Sequence, residues 1–175
     1  VIETLQHFSP LVEQYSIDEA FLGLQGFVNR DLTDYGQQIR TTVQQWTGIP
    51  VSVGIAQTKT LAKLAAQVAK RNPNMKGVLD FETVEDIDTV LAAIDIGEVW
   101  GIGKNLRAKL NALGIKQVLD LKQANEKLIK KKFGILTLRT VMELRGIPCF
   151  PMEPVAAPKT MRIVSRSFGH LVTEL

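Results

Sequence analysis

The chain is poor in the residues that build covalent and metal staples. Its 175 residues include one cysteine, Cys149, and two histidines, His7 and His170. A single cysteine excludes an intramolecular disulfide and a thiolate metal cage. The histidines lie far apart and share no metal-ligand spacing, so both are read as ordinary surface or core residues. No apolar run approaches the roughly 20 residues of a membrane span. No signal-peptide pattern is visible, and a reducing, cytoplasmic setting is expected. With 45% hydrophobic residues the chain can bury a core, and its length suits one domain or one and a half.

Charge is present but unevenly spread. Residues 104–145 hold eleven Lys/Arg and three acids, a balance of +8. The remaining residues hold ten basic and fifteen acidic side chains, a balance of −5. That asymmetry points to a polyanion partner for the second half. A solvated, lysine-rich helical surface would give the same count.

The first 80 residues read as mixed α and β. Strands are expected over 11–17, 20–25, 51–55 and 76–80, with helices over 31–46 and 58–70. Leu32, Tyr35, Ile39, Val43 and Trp46 form the apolar face of the first helix. The order suggests a small sheet with helices on one face, an α+β arrangement. Residues 81–147 read as all-α, with helices over 84–93, 104–113, 117–122, 125–131 and 136–145. Four prolines between 148 and 158 mark a linker. Strand-forming residues return over 161–168.

Three constellations could carry chemistry. In the first, Tyr15-Ser16-Ile17-Asp18-Glu19-Ala20-Phe21-Leu22, adjacent carboxylates sit between apolar strands. Neighbours in a strand point to opposite faces, so both can serve one ion only if the chain turns there. Mg²⁺ bound by carboxylates and substrate phosphates would compensate such a pair. A polar hairpin tip is the plain alternative. In the second, on the 58–70 helix, Lys59, Lys63 and Lys70 fall within about 40° on a wheel of about 100° per residue. Leu61, Leu64, Ala65 and Val68 oppose them. Three ammonium groups on one face suit a phosphate ligand, although an ordinary amphipathic helix has the same pattern.

The third constellation is Val99-Trp100-Gly101-Ile102-Gly103-Lys104, followed by Ala108 and Leu113-Gly114-Ile115. Glycines let a backbone approach a ligand, and the N–H groups opening a helix can bind phosphate. Ile102 anchors the turn in the core, and Ala108 permits tight helix packing. This pattern resembles a helix-hairpin-helix, which grips nucleic-acid backbone without reading sequence. A dinucleotide fold is not supported, because a third glycine and a preceding parallel strand are missing.

Together these segments resemble the Y-family (translesion) DNA polymerases. The Tyr15–Leu22 run is similar to the family's second active-site motif. Val53-Gly54-Ile55-Ala56-Gln57-Thr58-Lys59-Thr60-Leu61-Ala62-Lys63-Leu64-Ala65 resembles its palm strand and helix, and Val99–Gly103 its thumb hairpin. Ser165-Arg166-Ser167-Phe168-Gly169 resembles the start of its little finger. Gly54–Lys63 and Glu143-Leu144-Arg145-Gly146 are similar to the UmuC-like branch, the catalytic subunits of bacterial DNA polymerase V. The resemblance implies a partial palm (1–80), a helical thumb (81–147), a linker (148–159) and the beginning of a little finger (160–175).

By the same resemblance, Asp18 would ligate two catalytic Mg²⁺ ions, and Glu19 would act at the primer 3′-hydroxyl side. Ser16 would lie near the primer strand. Lys70 would contact the incoming triphosphate. Gly101, Ile102, Gly103 and Lys104 would hold a DNA phosphate, and Arg166 would lie near the template backbone. Implied partners are primer-template DNA, deoxynucleoside triphosphates, a UmuD-like dimer, the RecA filament and the sliding clamp. The family's first motif, an Asp with a steric gate, has no counterpart here, nor do its fingers. The isolated chain is therefore expected to lack useful polymerase activity. Two other readings are a non-catalytic helix-hairpin-helix DNA-binding module and a nucleotidyl-cyclase-like palm. The second lacks a Gly-Gly-[Asp/Glu]-Glu hairpin and would not explain the DNA-gripping unit.

Overall fold

The computed structural model describes residues 1–27 and 30–153. A short helix, α1 (Ile2–Gln6), precedes a hairpin of β1 (Val12–Gln14) and β2 (Ala20–Leu22). The two strands are antiparallel, with Val12 opposite Leu22 and Gln14 opposite Ala20. Their alternation sorts the side chains. Val12, Ala20 and Leu22 join a core with Leu5, Tyr35, Ile39 and Val43, while Glu13 and Phe21 point to the other face.

Helix α2 (Leu32–Thr47) begins where the Asp31 side chain accepts the Asp34 N–H at 3.0 Å, and it ends at left-handed Gly48. Its buried face is Tyr35, Ile39 and Val43. Trp46, expected on that face, is 61% exposed and meets His7 edge-on. The helix runs one turn beyond the apolar layer that Val43 closes.

Next come β3 (Val53–Ile55), α3 (Lys59–Arg71) and β4 (Val78–Asp80). β3 and β4 are parallel, which requires a crossover, and α3 provides it. The Thr58 side chain caps α3 by accepting the Leu61 N–H. A Cβ on Gly54 would lie 2.1 Å from the Ala62 carbonyl oxygen and 2.2 Å from the Ala66 nitrogen. The α3 backbone therefore rests directly on β3. Helix α2 meets the other side of the ladder, where Gly36 faces Val53, Ile55 and Val78. The α+β class stands. The strands pair as two separate two-stranded ladders, and the helical cover extends to both faces of the second.

Beyond β4 the described chain is helical, with α4 (Ile87–Ala92), α5 (Lys104–Asn111), α6 (Val118–Lys122) and α7 (Glu126–Leu144). Helix α4 is shorter than expected because Asp86 caps it, accepting the Asp88 and Thr89 N–H groups at 3.1 and 3.2 Å. The helices expected over 125–131 and 136–145 form one element kinked at Gly134, where φ is 85°. Leu91, Ile96, Leu110, Leu121, Ile129 and Leu144 share a single core with Leu61, Leu64 and Leu79. That shared core seats the helical unit on α3. Among the described residues no helix is long and apolar enough to cross a membrane.

Candidate active site and nucleic-acid interface

The carboxylate pair occupies the tip of the β1–β2 hairpin. The N–H groups of Tyr15 and Ser16 both donate to the Glu19 carbonyl, at 3.0 and 3.1 Å. The chain therefore turns between Ser16 and Glu19, the condition for both carboxylates to reach one ligand. Asp18 and Glu19 are exposed, and Ile17 at the apex is 98% exposed. Ser16 Oγ donates to Asp18 Oδ1 at 2.6 Å. This bond is the main reason the Asp18 carboxyl is held below its ordinary pKa, with a backbone N–H and the charges of Lys63 and Lys70 adding to it. Asp18 thus stays ionised in the field of two α3 lysines.

The lysine stripe divides into three different environments. Lys59 was expected to offer its ammonium outward. Instead it is buried, paired with Glu13 at 2.5 Å and donating to the Pro151 carbonyl at 2.7 Å. Glu13 sits on the β1 face that Val12 does not use, directly opposite the start of α3. Lys63 bonds Glu19 at 3.0 Å, with side chains 23% and 45% exposed. Such a partly exposed pair contributes about 0–1 kcal/mol to stability, and salt screens it. Lys70 is exposed, and it alone of the three has no described ion pair.

The carboxylates fit part of a Mg²⁺ site. They present hard oxygen donors to solvent, and Mg²⁺ uses one or two carboxylates with water and substrate phosphates. They do not form a self-contained cage, since no cluster of three metal-ligating groups exists among the described residues.

The glycine turn stands nearby in the fold. Gly101 has φ of +84°, and added Cβ atoms on Gly101 or Gly103 would meet open space. Ile102 is 7% exposed, so it anchors the turn as expected. Its N–H donates to the Val99 carbonyl at 3.0 Å. Gly103 is the N-cap of α5 and has no capping side chain. The first-turn N–H groups of α5 therefore face outward beside exposed Lys104. Ala108, expected to permit tight helix packing, is exposed instead. The tight contact of α5 is made by Leu110, which is fully buried. A shallow cleft of about 340 Å³ runs beside the turn, lined by Asp95, Gly97, Glu98, Ile102, Gly103, Lys104 and Arg107.

Three of the basic residues in 104–145 are neutralised locally: Arg107 by Asp95, Lys122 by Asp88 and Arg145 by Glu126. The others, Lys104, Lys109, Lys116, Lys127, Lys130, Lys131, Lys132 and Arg139, are exposed and make no ion pair among the described residues. Arg166 and the strand-like 161–168 segment lie outside the described residues.

Sequence reasoning missed Glu143. It is 1% exposed, yet its carboxylate accepts N–H bonds from Thr60, Cys149 and Phe150 at 3.0, 2.6 and 3.1 Å. Thr58 Oγ1 donates to the Glu143 carbonyl as well. Glu143 and Glu13, which also accepts the Glu153 N–H at 2.7 Å, clasp residues 149–153 against the start of α3. The available signal was a lone acid in the apolar run Val141-Met142-Glu143-Leu144.

Comparison with known proteins agrees with this arrangement. The family model described as impB/mucB/samB matches residues 1–67, and the one described as the IMS family HHH motif matches residues 84–115. UmuC of Salmonella typhimurium is 49% identical over 99% of this chain and 42% of its own length. DNA polymerase IV of Pelotomaculum thermopropionicum is 30% identical over 99% of this chain and 41% of its own. The chain spans about two-fifths of the curated relatives it matches. A solved insertion ternary complex of Dbh DNA polymerase aligns with a TM-score of 0.64 at 30% identity, covering 82% of this chain and 41% of that one. Together these matches support a UmuC-like segment of the Y-family DNA polymerases.

Proposed function

We propose that the chain supplies the palm (1–80) and thumb (81–147) of a translesion DNA polymerase. A linker (148–159) and the first residues of a little finger (160–175) would follow. The observation that carries this reading is the hairpin tip, which exposes Asp18 and Glu19 together in the field of Lys63 and Lys70. Phosphoryl transfer needs an in-line nucleophile and cations that neutralise developing charge. Two Mg²⁺ ions would supply that neutralisation when bound. Asp18 would hold both, and Glu19 would lie at the primer 3′-hydroxyl side. Ser16 would orient Asp18 and border the primer strand. Lys70, exposed and without an ion pair among the described residues, suits the incoming triphosphate.

The turn at Gly101, Ile102, Gly103 and Lys104 suits a duplex phosphate, held by outward N–H groups and a lysine. The eight exposed cations of 104–145 that make no ion pair among the described residues favour duplex binding through counterion release, without sequence preference. Arg166 belongs to the proposal only through the family resemblance. So do the cytoplasmic setting, the UmuD-like dimer, the RecA filament and the sliding clamp.

The test is primer extension by the full-length protein on a primer-template with deoxynucleoside triphosphates and Mg²⁺. Template-directed incorporation past a lesion is expected. Duplex binding without any incorporation would favour the non-catalytic helix-hairpin-helix module instead.

A further inference from the structure

Trp100 stands between the two halves of the proposed site. Its backbone precedes Gly101 and belongs to the glycine turn. Its side chain leaves that turn and lands on the carboxylate hairpin. The indole Nε1 donates to Tyr15 Oη at 2.8 Å. The Trp100 ring meets Tyr15 edge-on at 5.0 Å, with Phe21 at 6.0 Å and Phe150 at 5.4 Å. Aromatic pairs favour such edge and offset geometries.

Lys63 closes the cluster. Its Nζ lies 5.0 Å from the Trp100 ring and 4.7 Å from the Tyr15 ring, within cation–π range. The same Nζ is 3.0 Å from the Glu19 carboxylate. One cation is thus shared by two aromatic faces and by an acid of the hairpin tip. The contacts join residues 85 positions apart in the chain, so local sequence does not impose them.

We propose that Trp100 and Lys63 are positioning residues. Lys63 is the resident counter-ion of Glu19, and Trp100 holds Lys63 and Tyr15 in place. The phosphate-gripping turn and the carboxylate tip then keep a fixed separation. This inference rests on the reading of the tip and the turn as two parts of one polymerase site. Fixed separation matters there, because a displacement near 1 Å can cost a factor of about 100 in rate.

The test uses a Trp46→Phe background, which leaves Trp100 as the single tryptophan of the chain. Trp100 emission is recorded for Glu19→Gln, Lys63→Met, Lys63→Arg and the Glu19→Gln/Lys63→Met pair. Glu19→Gln and Lys63→Met should each change the emission, and the double variant should match Lys63→Met alone. Lys63→Arg, which keeps the cation, should restore the original emission. High salt should shrink the Glu19→Gln effect, because the pair is partly exposed. Emission indifferent to Glu19→Gln, or effects that simply add, would overturn the proposal.

In the full-length protein, Trp100→Ala should lower kcat for primer extension by about 100-fold, and by more than it changes duplex Kd. Trp100→Phe, which keeps a ring but loses the N–H, should fall between. An unchanged kcat in Trp100→Ala would also overturn the proposal. If the polymerase reading itself fails, the unaltered protein will not extend primers, while the emission cycle still reads the Glu19–Lys63–Trp100 coupling.

Discussion

The carboxylate hairpin and the glycine turn reach solvent by opposite means. The hairpin tip has two local side-chain bonds, both between Ser16 and Asp18, and an apex residue that is 98% exposed. Its remaining side-chain support is imported: Lys59 and Lys63 come from α3, and Trp100 comes from beyond β4. The glycine turn is rooted locally, with Val99 at 3%, Ile102 at 7% and Leu110 at 0% exposure. A backbone cradle for phosphate, the role proposed for this turn, needs a rigid anchor, and the core provides it. A charged tip must stay wet to meet cations, so its support is lateral.

Substitutions at five positions break or sharpen this contrast. Gly54 underlies both regions, because α3 carries the lysines and shares the core of the turn. Gly54→Ala would drive a Cβ into the α3 backbone at 2.1 Å. A loss of about 3 kcal/mol or more is expected, read by urea denaturation, with both regions failing together. Glu143→Ala would leave three N–H groups without their acceptor. About 3 kcal/mol should be lost, and Glu143→Gln should cost less because one acceptor oxygen remains.

Gly101→Val acts on one region only. It forces a branched side chain into φ of +84°, for about 1–2 kcal/mol. Duplex affinity should fall in a fluorescence-anisotropy titration, while the Asp18 titration stays as it was. Bulky residues at Gly103 should also weaken the duplex. Unchanged affinity in both variants would remove the turn from the interface.

The smallest effect acts on the other region. The Asp18 carboxyl is held below its ordinary pKa chiefly by Ser16. A depressed carboxylate stabilises the fold above its unfolded pKa and loses that contribution as pH falls through the folded value. Ser16→Ala should therefore move the Asp18 midpoint upward in a ¹³C carboxyl NMR titration, with little change in urea midpoint at neutral pH. No upward movement would mean that the α3 lysines, rather than the hydroxyl, set the charge.

Local features were the most legible in the sequence. Asp31, Thr58 and Asn125 cap their helices with side-chain bonds, and these residue types announce helix starts. The turn between Ser16 and Glu19 and the anchoring of Ile102 also followed from short-range pattern. The misreadings were matters of what lies opposite. A wheel groups Lys59 with Lys63 and Lys70, but it cannot register that Glu13 of a distant strand buries the first. It places Trp46 on the apolar face without knowing that the core ends at Val43. The Trp100–Tyr15 bond and the Glu143 clasp are long-range for the same reason, and neither follows from spacing alone.

The most direct measurement is primer extension by the full-length protein carrying Asp18→Asn. The carboxylate tip is proposed as a catalytic metal ligand, so the rate should fall by at least about 10³-fold, while duplex affinity is retained. Extension within a few-fold of the unaltered protein would contradict the assignment of Asp18 and, with it, the proposed site.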